Sequence, residues 1–86
     1  MTSAADDLVA VVRLLVDQPD AVRAEERATG GTAADSRDAE LVLSVAEGDR
    51  GKVIGRRGRT VDALRALARE RGGLEGRELD LELLDD

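Results

Sequence analysis

Histidine, cysteine, phenylalanine, tyrosine and tryptophan are all absent from this 86-residue chain. Without Cys and His it lacks the usual ligands of structural zinc and the commonest general base, and no disulfide can form. The core must therefore be built from Leu, Val, Ala and a single Ile. These absences argue against metal sites and acid–base catalysis. We predict a non-enzymatic domain with no cofactor and no small-molecule substrate.

A basic N-terminal segment and a long apolar run are also missing from the sequence. The N-terminal segment is acidic at Asp6 and Asp7, where a secretory signal would be basic, and Arg13 interrupts the apolar run that follows. Nothing approaches membrane-spanning length. Because 86 residues leave room for one modest core, we expect a single domain over residues 1–86, with its core over about 5–84. Its expected location is the cytoplasm, away from membranes.

Charge is distributed unevenly along the chain. The formal net charge of −6 would by itself argue against a nucleic-acid partner, because polyanion binding depends largely on phosphate neutralisation. Residues 1–49, however, carry a net −7, residues 50–71 a net +6 and residues 72–86 a net −5. One basic segment thus lies between two acidic ones, and this distribution reverses the inference.

The first half of the chain begins with a helical pattern. Ser3 or Asp6 can cap this helix, and Pro19 is expected to end it. Its buried stripe should consist of the apolar residues that recur at helical spacing, namely Leu8, Val11, Val12 and Leu15.

Two strands are expected next. Residues 21–27 alternate weakly and contain poor strand formers, which is typical of an edge strand. Residues 30–38 are small and polar and predict a flexible hairpin loop. Residues 40–46 are nearly apolar on both faces, which favours a central strand.

The second half predicts two helices around a turn and then a third strand. A short helix is expected over about residues 50–54 and a longer one over 60–71, stopped by Gly72 and Gly73. The apolar face of the longer helix should consist of Val61, Leu64, Leu67 and Ala68. Residues 78–83 alternate leucines with acids, as a half-buried strand does. This order favours an α+β fold in which a three-stranded sheet carries its helices on one face and its acids on the other.

The turn Gly55-Arg56-Arg57-Gly58 is the main candidate for a binding site. Glycines three apart let the backbone approach a ligand closely, and the N-terminus of the following helix favours an anion, above all a phosphate. A Walker A loop is excluded because Ala46 and Val53 occupy two of its required positions, and Val53 also excludes a dinucleotide fingerprint. A helix-turn-helix DNA-binding domain remains an alternative, although there a single glycine in a compact turn is usual.

The residues Val53 to Thr60 carry the Ile-Gly-x-x-Gly signature of the KH domain. Over residues 5–84 the chain resembles the KhpA (YlqC) family of small bacterial RNA-binding proteins. The resemblance rests on the segment Leu15–Asp20, which reads Leu-Val-Asp-Gln-Pro-Asp, and on the core Gly51–Thr60. It implies a single KH domain of the type II order α-β-β-α-α-β.

The resemblance implies that the loop clamps a short single-stranded RNA of about four nucleotides. The implied contacts are Lys52, Ile54, Gly55, Arg56, Arg57, Gly58, Arg59, Thr60 and Val61, with Arg65 and Arg69 as additional candidates. Because the chain has no aromatic ring on which bases could stack, binding should be weak and poorly selective. The expected role is that of a post-transcriptional regulator or RNA chaperone.

The resemblance also implies protein partners. Members of this family are expected to form homodimers, heterodimers with a larger KH protein of the KhpB (Jag/EloR) type, or both. A second hypothesis therefore stays open, in which the chain is a dimerisation or docking module with a KH-like fold and little RNA binding. The basic pair Arg56 and Arg57 discriminates between the two, because a pure interaction module has no need of it.

Overall fold

The computed structural model describes residues 2–29 and 37–84. The elements in chain order are α1 (Ala4–Arg13), β1 (Arg23–Ala28), β2 (Ala39–Ser44), α2 (Arg50–Ile54), α3 (Arg59–Glu75) and β3 (Leu79–Leu83). This α-β-β-α-α-β order confirms the predicted α+β fold class and the predicted order of elements. Most of the predicted hairpin loop, residues 30–36, lies outside the described residues. No helix in the described ranges combines the length and apolar content that crossing a membrane requires.

The sheet has the order β1-β2-β3, with β1 antiparallel and β3 parallel to the central strand β2. The predictions of a central second strand and an edge first strand are therefore confirmed. Ala39, Leu41 and Leu43 of β2 are buried in the core beneath the helices. Because parallel neighbours need a crossover connection, the chain must pass through α2, the glycine turn and α3 before it returns as β3. The basic segment is this crossover.

Acidic side chains of β3 lie on the sheet face away from the helices, as predicted. Leu79 and Leu81 are buried, whereas the alternate residues Asp80 and Glu82 are exposed. On this outer face the guanidinium of Arg27 lies 2.6 Å from a carboxylate oxygen of Glu40 and 2.8 Å from one of Glu82. The carboxylates of Glu40 and Glu82 are thus separated from the crossover by the thickness of the sheet.

Helix α1 begins as predicted but ends earlier than expected. Ser3 caps it, with Asp6 completing a reciprocal capping box. The helix ends at Arg13, not at Pro19, because the chain tightens through hydrogen bonds from the next two N–H groups to carbonyls three residues back. The prediction that Val11 and Leu15 are buried is wrong, since they are 37% and 39% exposed, whereas Leu8 and Val12 are buried.

Helix α3 continues past the glycine pair that was expected to stop it. It ends at Glu75, where Gly76 adopts a left-handed conformation with φ 70°. Gly72 is buried and a Cβ there would lie 2.5 Å from the Arg77 carbonyl oxygen, so this glycine allows close packing and does not terminate the helix. The expected inward position of Leu67 is also wrong, because that side chain is 47% exposed.

Candidate functional site

The glycine turn is carried by two helices that are both anchored in the core. Val53 of α2 is fully buried and Val61 of α3 is 6% exposed. Helix α2 ends where the Gly55 N–H donates to the Gly51 carbonyl oxygen at 2.9 Å. Ile54 is half-buried beside this end. The connection between the helices is therefore short, with both of its ends held by buried valines.

The backbone of the loop depends on left-handed residues. Gly55 has φ 75° and Gly58 has φ 74°, while Arg57 has φ 57° and is the one non-glycine residue with a positive φ in the described part of the chain. A hydrogen bond of 3.2 Å from the Gly58 N–H to the Gly55 carbonyl oxygen closes the turn. These dihedral angles explain why glycines occupy both ends of the loop. They also place Arg57 in a conformation that ordinary side chains rarely adopt.

Thr60 covers the first glycine of the loop. A Cβ on Gly55 would overlap the Thr60 hydroxyl and would lie 2.6 Å from the Thr60 Cβ. A Cβ on Gly58 would meet no atom within 4 Å. Gly55 is thus required by both its φ angle and its contact with α3, whereas Gly58 is required by its φ angle alone.

Three arginines at the loop carry charge without compensation. Arg56, Arg57 and Arg59 are exposed, and within residues 2–29 and 37–84 their side chains make no ion pair or hydrogen bond. Helix α3, which starts at Arg59, has no side-chain cap at its N-terminus. The Arg59 N–H donates to the Arg56 carbonyl oxygen, so this helix end contributes mainly the positive end of its dipole near the same three cations. This combination favours an anion carrying several oxygen acceptors.

The other predicted basic residues have different surroundings. The guanidinium of Arg65 lies 3.0 Å from the Asp62 carboxylate. Arg69 is exposed one helical turn further on and lines an open cavity of about 400 Å³ above β3. That cavity also contains Glu78 and Asp80, so it is not purely basic.

Lys52 is held by carboxylates. Its ammonium nitrogen lies 2.9 Å from Asp17 Oδ2, in the turn after α1, and 3.7 Å from Asp49 Oδ1. The hydrogen bond to Asp17 and the two negative charges raise the pKa of Lys52 above its ordinary value. Within the described part of the chain, this lysine already has anionic neighbours, unlike the three loop arginines.

A family model described as the KH domain of KhpA/KhpB matches residues 5–73. The chain belongs to this KH-domain family. Similar proteins include the RNA-binding protein KhpA of Halalkalibacterium halodurans, 36% identical over 75 residues, which make up 87% of this chain and 91% of that protein. The RNA-binding protein KhpA of Bacillus subtilis is 36% identical over 80 residues, covering 93% and 91% of the two chains. That of Chlamydia trachomatis is 33% identical over 79 residues, covering 92% and 94%.

A solved structure shares the fold of this KH domain. The crystal structure of a Tyr→Ala variant of Aquifex aeolicus Era bound to GDP·AlF4⁻ matches 93% of this chain with a TM-score of 0.61 and 24% sequence identity. The match covers 29% of the Era chain, so this KH domain spans less than a third of that protein. The similarity therefore bears on the fold alone.

Sequence reasoning missed one polar residue of this KH domain, Asp49. It is 2% exposed, and its carboxylate accepts the N–H groups of Asp17 at 3.1 Å and of Gln18 at 3.0 Å. Burial raises the pKa of Asp49, but these two hydrogen bonds and the Lys52 ammonium outweigh it and keep that pKa below its ordinary value. In the sequence Asp49 belongs to the polar segment that follows the predicted strand over residues 40–46, and nothing in the local pattern indicates that it is buried.

Proposed function

We propose that this KH domain binds short single-stranded RNA by clamping its phosphate backbone with the loop from Gly55 to Gly58. The observation that carries the proposal is the group of three exposed arginines that make no ion pair among the described residues, beside the N-terminus of α3, which has no side-chain cap. Guanidinium groups and backbone N–H groups are the usual donors to phosphate oxygens. The relatives described as RNA-binding proteins support the same ligand.

Each predicted residue has a role in this proposal. Arg56, Arg57 and Arg59 contact phosphates, while Gly55 and Gly58 let the backbone approach them. A second group of residues supports these contacts and consists of Lys52, Ile54, Thr60 and Val61. In this group Lys52 adds positive electrostatic potential, and Ile54 and Val61 form an apolar surface beneath the bases, although Val61 is mainly a core residue. Arg65 and Arg69 extend the basic surface along α3. The site accommodates about four nucleotides, with weak affinity and low selectivity because no aromatic platform exists.

The salt dependence of binding tests this proposal. Phosphate contacts from three arginines should give a slope of about −2 in a plot of log affinity against log salt, at roughly 0.7 per contact for a single strand. The measurement is fluorescence anisotropy of a labelled, unstructured RNA from about 50 to about 500 mM salt. A flat response would contradict the phosphate clamp. Tighter binding to duplex DNA than to this RNA would instead favour the helix-turn-helix alternative.

An apolar groove between α1 and α3 favours a second role in protein pairing. The groove has a volume of about 230 Å³ and a floor formed by Leu8. Its exposed apolar walls are Val11 at 37%, Leu67 at 47% and Leu74 at 85% exposure. Asp7, Glu70 and Arg71 form a charged rim. An apolar centre with a polar rim is typical of protein interfaces.

This groove supports self-association, pairing with a larger KH protein of the KhpB type, or both. Such pairing is compatible with RNA binding, because the groove lies on the flank of α3 that carries Leu67 and Leu74, whereas the RNA-binding loop precedes the helix. In the cell the chain would then act in the cytoplasm with such a partner, as a post-transcriptional regulator or RNA chaperone.

Replacing Leu67 and Leu74 with Glu is expected to weaken self-association by at least about 100-fold, since each buried leucine contributes about 1.5–3 kcal/mol. Sedimentation equilibrium measures the dissociation constant. Leu84→Glu is the control, because Leu84 is 44% exposed, close to the 47% of Leu67, but follows β3 and does not line the groove. A wild-type chain that stays monomeric at all concentrations would contradict self-pairing. Loss of RNA binding in the monomeric double variant would show that pairing is required for it.

A further inference from the structure

Asp49 occupies the N-cap position of α2 but does not cap that helix. Asp at this position ordinarily accepts an N–H from the first turn of its own helix. Here no side-chain cap is made, and both carboxylate oxygens accept N–H groups of Asp17 and Gln18, more than thirty positions earlier in the chain. Because Asp49 does not cap its own helix and both of its oxygens pair with a distant turn, its hydrogen bonds stabilise the tertiary structure and not the local helix end.

Helix α2 depends on such contacts because it has only five residues, Arg50–Ile54. A helix of this length is not stable by itself. Val53 anchors it in the core, and the Arg50 side chain donates to the Leu84 carbonyl oxygen at 3.2 Å, beside the end of β3. Asp49 and Lys52 hold the helix to the turn after α1. These ties bind α2 to three separate parts of the fold.

The carboxyl end of α2 is the start of the phosphate-binding loop. Gly55 follows Ile54 directly, and its N–H closes the last turn of α2 on Gly51. Any rotation of α2 about Val53 would therefore redirect Gly55 and the two arginines after it. Holding a binding loop in one direction before the ligand arrives lowers the ordering cost of binding.

We infer that Asp49 is a positioning residue for the RNA-binding loop, acting through α2 and without contact with RNA. This inference rests on the proposed function. Lys52 belongs to the same tie, because its ammonium bridges Asp17 and Asp49. In this arrangement the buried carboxylate orients the loop, and the exposed arginines supply its affinity.

The variant Asp49→Asn tests the inference. Asparagine keeps one acceptor but replaces the other with an N–H donor, so one N–H of the 17–18 turn loses its partner. RNA affinity of the folded protein should fall about tenfold. The salt slope should stay near that of the wild type, because no phosphate contact is removed. Amide exchange at Gly55 should accelerate relative to that at Leu41 in the central strand.

Val22→Ala is the matched control for stability. Val22 is 1% exposed and precedes β1, so its truncation should lower the melting temperature without changing RNA affinity or the relative exchange at Gly55. If Asp49→Asn does not fold, Lys52→Met takes its place, since Lys52 is exposed and this change removes the bridge while keeping the apolar stem. Faster exchange at Gly55 is expected there too, and unchanged exchange would overturn the inference.

The outcomes separate the inference from the proposed function. If the wild type binds RNA and Asp49→Asn binds it equally well, the positioning role is overturned and the phosphate clamp stands. If the wild type does not bind RNA at all, both are overturned.

Discussion

Arg56→Asp combined with Arg57→Asp is expected to abolish crosslinking of this KH domain to cellular RNA while leaving the fold intact. Two phosphate contacts removed from a single-strand complex cost about 25-fold in affinity at about 0.1 M salt, from counterion release alone. The new carboxylates then repel the same phosphates. The salt slope of any residual binding should lie about 1.4 closer to zero than that of the wild type.

The fold should tolerate both changes. The two side chains are exposed and make no ion pair within residues 2–29 and 37–84. Arg57 has φ 57° and ψ 26°, and Asp is among the residues that enter this left-handed region most readily. The circular dichroism spectrum and the melting temperature should therefore remain close to those of the wild type.

A charge-matched control distinguishes the effect of the loop arginines on RNA binding from the effect of the net charge of the protein. Arg13→Asp with Arg23→Asp changes the charge by the same amount. Arg13 ends α1, and among the described residues the Arg23 guanidinium donates only to the carbonyl oxygens of Asp20 and Val22. This control should crosslink to RNA far better than the loop variant. Undiminished crosslinking of the loop variant would reject the phosphate clamp.

Gly72→Ala and Gly73→Ala are expected to change stability in opposite directions, although the two residues are adjacent in α3. A Cβ on Gly72 would lie 2.5 Å from the Arg77 carbonyl oxygen and 3.0 Å from the Leu79 backbone nitrogen. Both are backbone atoms, and Leu79 is paired with Ala39 in the sheet, so α3 must move away from β3. We expect a loss of about 2–3 kcal/mol.

At Gly73 a Cβ would meet no atom within 4 Å, so alanine adds no clash. There it should stabilise the helix by about 0.5–1 kcal/mol, because glycine loses more backbone freedom on folding. Since about 1 kcal/mol shifts the melting temperature of a domain of this size by about 4–8 °C, thermal unfolding resolves both effects. Equal stability of the two variants would refute the close contact between α3 and the start of β3.

Local pattern predicted much of this fold. The alternation of leucines with acids in β3 predicted that the leucines are buried and the acids exposed. The structure confirms this for Leu79 and Leu81 and for Asp80 and Glu82. The short helix over 50–54 was predicted with the same limits that the structure shows. These predictions succeeded because side-chain period and turn residues act within a few positions, and here the tertiary fold agrees with them.

The errors concern positions where distant residues decide the outcome. Helix α1 ends early, and in the turn that follows it the N–H groups of Asp17 and Gln18 donate hydrogen bonds to the Asp49 carboxylate. Helix α3 runs through Gly72 because that glycine packs against the chain entering β3. Val11 and Leu67 fit the helical stripe but lie on the flanks where α1 and α3 leave a groove between them. No pattern within one helix reveals where a neighbouring helix stops covering it.

The candidate site divides in the same way. By itself the sequence determined the basic glycine turn, its position between two helices and its place in a net-acidic chain, because these follow from residue type and spacing. Only the tertiary structure decided which charges are compensated. It leaves Arg56, Arg57 and Arg59 without carboxylate neighbours among the described residues and brings Asp17 and Asp49 to Lys52. Compensation depends on distances of a few ångströms between residues remote in sequence, and those distances exist only once the chain has folded.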